Sequence, residues 1–263
     1  MISTFLQLGG TGCLLAVLPV PAKATGRAFN RFVSGLAAVL ILMGLGAALR
    51  GAPVAPTRLL WALAATCAAI SAGLSHSGRL QPGRFVLQAA AAWAVIAASL
   101  DGWGLSGSMG GGGPLAAIRY VLDALSSAWM LGTVLVAMIL GHYYLNIAGL
   151  AIEHLVRLTL MSLGACAIRA VVFSWGVASG GGAILLPLLD GAGASPDFLP
   201  AIVLLQRFLF GIAGGTALSL MAWRTARINS TQSATGILYI GLIAVLVGEL
   251  ASRYLLFSTG SPI

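Results

Sequence analysis

The chain has 263 residues, 59% of them hydrophobic and only 8% charged, with a mean hydropathy of +1.00. A water-soluble domain carries about 25% charged residues, so this composition excludes a globular protein in water and makes lipid the solvent. The formal net charge of +8 comes from 14 basic and 6 acidic residues. Most of the basic ones sit in short connections between apolar runs, which is the positive-inside bias of membrane proteins and not a nucleic-acid surface.

A spanning helix needs about 20 apolar residues. In chain order the sequence predicts eight: 3–20, 32–49, 59–76, 85–100, 120–143, 157–178, 199–222 and 235–257. The first and fourth are the weakest in pattern. No basic residue precedes the first run, so no cleaved signal is expected. The fold class expected is all-α: a polytopic transmembrane helical bundle forming a single integral membrane domain over 1–263.

The connections carry breakers and charge, and their basic residues set the expected orientation. The first, third, fifth and seventh hold eight: Lys23, Arg27, Arg31, Arg79, Arg84, Arg157, Arg224 and Arg227. The second, fourth and sixth hold three: Arg50, Arg58 and Arg119, and the sixth carries only the acids Asp190 and Asp197. That asymmetry predicts odd-numbered connections in the cytoplasm and both termini outside. The run "GSMGGGGP" at 107–114 lacks GxxxxGK[ST] and GxGxxG and follows no strand, so it reads as an outer loop. No repeat of 20–50 residues and no inverted pair of broken helices of the transporter kind is found.

Cys13, Cys67 and Cys166 lie far apart inside apolar segments, with no CxxC, haem-attachment or zinc spacing. They read as small buried side chains. No GxSxG, HExxH or paired-carboxylate arrangement occurs, so redox chemistry, if any, belongs to a cofactor or a partner.

An ionisable group inside a span costs roughly 2.5–3.5 kcal/mol at the helix centre and calls for an explanation. At about 1.5 Å per residue, Arg169 lies about 18 Å from the inner boundary and Arg207 about 12 Å from the outer one, which is the same depth on consecutive antiparallel helices. Glu249 lies at roughly 21 Å from the inner side, with Arg253 at i+4 in the favourable order for a helical pair. With Asp123 near the outer end of the fifth span, these residues are expected to share the outer half of one bundle. Either an internal ion-pair network or a polar pocket for a headgroup, a quinone or an anion accounts for them. Three arginines against two acids leave a positive excess. After Arg207, "GIAGG" puts Gly211 and Gly215 at the spacing that lets helices approach closely.

All three histidines are expected at the inner interface: His76 ending the third span, His142 in "GHYYL" ending the fifth, and His154 before the sixth. Two imidazoles at matching depth suit a b-type haem, and one suffices for a chlorin magnesium, which makes His142 and His76 ligand candidates. The competing reading is an aromatic belt or a docking surface for a cytoplasmic-side partner. Glu153, His154 and Arg157 are partner-docking candidates whose spacing lets them face one another as a capping cluster.

The last span, "ATGILYIGLIAVLVGELASRYLLFSTG", ends in a Gly-Glu-Leu-x-x-Arg-Tyr-Leu-x-Phe string. It resembles the last helix of the membrane-anchor subunits of complex iron–sulfur molybdoenzymes, the DMSO-reductase anchor family. The resemblance covers about 25 residues, at Gly248, Glu249, Arg253, Tyr254, Leu255 and Phe257; Ser252 stands where that family favours Gly. It implies eight spans with both termini outside, and an anchor that binds a quinol and passes electrons to partner subunits. "GHYYL" is not associated with that family and leaves open a haem-bearing anchor of another redox complex.

The expected function is therefore a non-catalytic membrane subunit of a multi-subunit redox complex in the bacterial inner membrane, in contact with lipid and with other membrane and peripheral subunits, but not with nucleic acid. It would offer a quinone site, with haem b as a second candidate cofactor: Glu249 as proton-transfer group at the quinone, and Arg207 or Arg169 as hydrogen-bond donors. The rivals are a structural or pigment-associated subunit of a larger, photosynthetic assembly and a small-molecule transporter using the same buried charges.

Overall fold

The structure is a computed structural model that describes residues 1–49, 57–109, 113–147, 150–186 and 198–263. Arg50, Asp190, Asp197 and the centre of the glycine run at 107–114 lie outside the described residues.

Every described element is helical. In order these are α1 (Ile2–Val17), α2 (Ala22–Leu49), α3 (Thr57–His76), α4 (Leu80–Ser108), α5 (Pro114–Asn146), α6 (Glu153–Ala178), a 3-10 turn at Gly181–Leu185, α7 (Phe198–Arg227) and α8 (Thr231–Thr259). Seven of them, α2 to α8, are long and apolar enough to cross a membrane; α1 is apolar too, but has 16 residues. In hydrocarbon a backbone polar group finds no water, so a helix that satisfies its own N–H and C=O groups is the element such a sequence must form.

The helices outrun the predicted apolar windows. The fourth is expected over 85–100 and extends from Leu80 to Ser108, because polar residues such as Arg84 and Asp101 end an apolar window without breaking the hydrogen-bond ladder. Pro82 sits in the first turn of α4, where its missing N–H costs nothing.

The centre is α5. Of its most apolar stretch, 78% is buried, against 33–50% for the other long helices. It packs on α1, α4, α6 and α8, so that α1–α4 form one side of the bundle and α6–α8 the other. Small residues permit the closest crossings. A Cβ on Gly12 of α1 would overlap the Ala128 carbonyl of α5, and one on Gly132 of α5 would overlap the Gly12 backbone. Gly211 of α7 faces Gly248 of α8 in the same way, with 2.8 Å from a built Cβ to the Gly248 Cα.

Two helices are irregular. Gly26 interrupts α2 at φ +81°, and Asn30 bridges the break by donating to the Gly26 carbonyl at 2.8 Å and to Thr25 Oγ1 at 3.2 Å. In α7, residues Arg207–Gly214 wind as a π-helix, a geometry seen mostly as short insertions and often at functional sites.

Side-chain contacts place the connections. Arg84 donates to the carbonyls of Leu18 and Val20, Arg157 to that of Pro19 at 3.4 Å, and the Arg27 guanidinium lies on Gly78. The α1–α2, α3–α4 and α5–α6 connections therefore meet at one basic end of the bundle. At the opposite end the segment after α8 folds back: its Gly260 carbonyl accepts from Tyr120, its Pro262 carbonyl from Arg119 at 3.3 Å, and Ile263 packs among Phe173, Leu204, Ile212 and Leu255.

Candidate functional site

Asp123, Arg169, Arg207, Glu249 and Arg253 come together in the interior, from α5, α6, α7 and α8. All five are almost wholly buried, Arg169 at 0% exposed and Arg207 at 1%. Among the described residues every ion pair lies in this cluster. The structure brings together the five residues that the sequence expects in the outer half of one bundle, while the pairing within them is a matter of tertiary structure.

Arg169 is the hub. Its Nε donates to Glu249 Oε1 at 2.8 Å and its Nη2 to Glu249 Oε2 at 3.0 Å, a bidentate clamp. Its Nη1 donates to Asp123 Oδ1 at 2.7 Å, the Asp123 carbonyl at 3.1 Å and Ser126 Oγ at 3.0 Å, and Nη2 reaches Ser252 Oγ at 3.0 Å as well. Ser127 adds a hydrogen bond to Glu249 Oε2. Each nitrogen of Arg169 is thereby occupied.

Arg253 does not pair with Glu249 one turn before it, contrary to the i,i+4 expectation. Its Nη2 binds Asp123 Oδ2 instead, because the Glu249 carboxylate is already taken by Arg169 and Ser127.

Arg207 is different in kind. Among the described residues its nearest carboxylate oxygen, Asp123 Oδ1, stands 3.8 Å from Nη2, and none of its three nitrogens has a hydrogen-bond partner. Its guanidinium carbon lies 5.3 Å from the centre of the Phe173 ring, within cation–π range. Phe173 in turn stacks on Phe208 at 6.0 Å, and Phe208 is 44% exposed on the outer face of α7. An aromatic pair thus separates an unsatisfied buried cation from the lipid-facing surface. Three arginines against two carboxylates leave this interior one positive charge in excess.

Ser126, Ser127, Phe173 and Phe208 were not singled out in the sequence, and Ser252 was named there only as a departure from the resembled family. Ser126 and Ser127 follow Asp123 by three and four residues and Ser252 follows Glu249 by three, so helical spacing alone would have found them. Phe173 lies four residues after Arg169, but nothing local marks it off from other apolar residues.

The histidines gather at the basic end but do not share partners. His142, exposed on α5, lies 3.2 Å from the Tyr239 hydroxyl of α8, at the head of an apolar groove of about 360 Å³ formed with Phe32, Met138, Ile139 and Tyr143. His76 ends α3 and is not part of that groove; its Nδ1 accepts from Arg31 Nη1 at 2.8 Å. Glu153 is exposed, His154 half-buried, and Arg157 turns to the Pro19 carbonyl instead of to Glu153. Cys13 and Cys166 are buried and Cys67 half-buried, as thiols. Among the described residues no three His, Cys, Asp or Glu side chains come together as a metal site.

Comparison of the chain with protein families, with curated proteins and with solved structures finds no match in any of the three.

Proposed function

We propose that the protein is a non-catalytic, multi-pass subunit of a redox assembly in the bacterial inner membrane, and that the buried cluster is its quinone site. The observation that carries the reading is Arg207: a fully buried guanidinium with no hydrogen-bond partner on any nitrogen. A buried donor left unsatisfied costs about 1–3 kcal/mol, and more when charged, so the site is built to receive an acceptor oxygen.

A quinone carries two electrons and two protons between the lipid phase and partner subunits. Arg207 donates to one of its carbonyls, and Phe173 and Phe208, stacked at 6.0 Å, offer a flat aromatic passage from lipid to that guanidinium. Arg169, whose nitrogens are all engaged, holds Asp123 and Glu249 in place and is a positioning residue. The C-terminal resemblance supports the same reading through Glu249 and Arg253, and eight spans with both termini on the outer side follow from it together with the basic connections.

The test is a titration of the purified chain in mild detergent with a short-chain naphthoquinone, read by quenching of tryptophan fluorescence. Saturable quenching is expected, weakened more than tenfold in Arg207→Leu and unchanged in Arg224→Gln. Equal affinity in wild type and Arg207→Leu would sink the proposal. A reduced-minus-oxidised visible spectrum of the same sample addresses haem b: a b-type band lost in His142→Ala would move the redox centre to the basic end.

A further inference from the structure

The basic end carries a second feature that the buried cluster does not involve. A groove of about 330 Å³ runs between the start of α2 and the start of α4, lined by Pro21, Ala22, Leu80, Gln81 and Arg84. Its walls are apolar apart from Gln81 and Arg84, and Arg84 is fixed in place by donating to the Leu18 and Val20 carbonyls. The α3–α4 turn that leads into Leu80 gathers Arg27, whose guanidinium lies on Gly78, Arg31, bonded to His76 Nδ1 at 2.8 Å, and Arg79 in the turn itself, all three exposed.

Among the described residues none of these four arginines is in an ion pair. Arg31 donates to a histidine nitrogen, not to a carboxylate, so its charge is unanswered. Three exposed guanidinium groups therefore meet at the α3–α4 turn, beside the apolar-floored groove that Leu80 and Arg84 line, at the junction of two helices long enough to span a membrane. Surface arginines of this kind each add to the attraction for anionic lipid, and the effect fades within a Debye length.

We propose that this groove binds the headgroup of an anionic phospholipid. The phosphodiester lies among Arg27, Arg31 and Arg79, and the glycerol and first acyl carbons rest on Pro21, Ala22 and Leu80. The charge is complementary, and the apolar floor selects a lipid over a free anion, which would gain nothing from Pro21 and Leu80. Arg84, committed to two carbonyls, shapes the floor and adds its field.

The experiment uses the full chain in mild detergent, with lipid retention read by native mass spectrometry against added phosphatidylglycerol. Saturable retention is expected for wild type. It should weaken about fivefold per arginine removed, on the order of 100-fold in Arg27→Gln/Arg31→Gln/Arg79→Gln. The triple Lys variant should keep most of the binding, and Arg224→Gln/Arg227→Gln, at basic positions outside the groove, should bind as wild type does. Phosphatidylcholine should be retained weakly, and inorganic phosphate at millimolar concentration should not compete. Equal retention in the triple Gln variant, or loss shared equally by the Arg224/Arg227 variant, would show only a diffuse basic rim and overturn the site. Competition by inorganic phosphate would make it a free-anion site instead, which also overturns the proposal.

Discussion

Replacing Asp123 by Asn removes the carboxylate on which three arginines depend. Asp123 stands 2.7 Å from Arg169 Nη1 and 3.8 Å from Arg207 Nη2, and it also holds Arg253. At an effective dielectric constant of about 20, the two quoted separations correspond to gross attractions of about 6 and 4 kcal/mol. Desolvation offsets much of this, and an Asn carbonyl still accepts one hydrogen bond. What remains is the cost of breaking a buried ionic group by removing one partner, about 3–5 kcal/mol. The charge excess of the interior rises from one to two, with Glu249 alone facing three guanidinium groups. For a chain of this size that predicts a fall in melting temperature of roughly 6–20 °C.

The assay uses the protein's own thiols. Cys13 and Cys166 are buried, so a maleimide fluorophore reacts with them only as the bundle opens on heating. Arg207→Leu is the contrasting variant. It gives up a cation–π contact and a 3.8 Å ion pair but removes a buried cation without hydrogen bonds, so its melting temperature should stay within about 2 °C of wild type or rise. The double variant should recover about 1–3 kcal/mol of the Asp123→Asn loss, because it restores the charge excess to one. An Asp123→Asn protein as stable as wild type, or an Arg207→Leu protein destabilised as much as Asp123→Asn, would refute this account of the network.

Two further outcomes follow from the packing. Gly12→Ala should lower the melting temperature by several degrees in the same assay, since its methyl would overlap the Ala128 carbonyl on α5 and helix crossings overpacked in this way lose about 1–3 kcal/mol. Asn30→Leu should cost about 1–3 kcal/mol by leaving the Gly26 carbonyl without its donor at the break in α2, whereas Asn30→Gln should recover part of the loss.

Composition alone determined that this chain is a helical membrane protein. With 8% charged residues no surface could face water, and in hydrocarbon only a self-satisfied backbone survives. The regular rise of a helix then placed Asp123, Arg169, Arg207, Glu249 and Arg253 in the same outer half of the bundle, because height along a helix is a property of residue number. Rotation about the axis is not, since nearly every face of these helices is apolar and no periodic stripe marks the core. Tertiary packing therefore decided that α5 lies at the centre, that Glu249 is clamped by Arg169 instead of pairing with Arg253, and that His142 meets Tyr239 while His76 meets Arg31. It also decided which arginine is left over. Two carboxylates offer only so many oxygens within hydrogen-bond reach, Arg169 and Arg253 occupy them, and the π-helical turn that begins at Arg207 sets its guanidinium beside Phe173 without a partner.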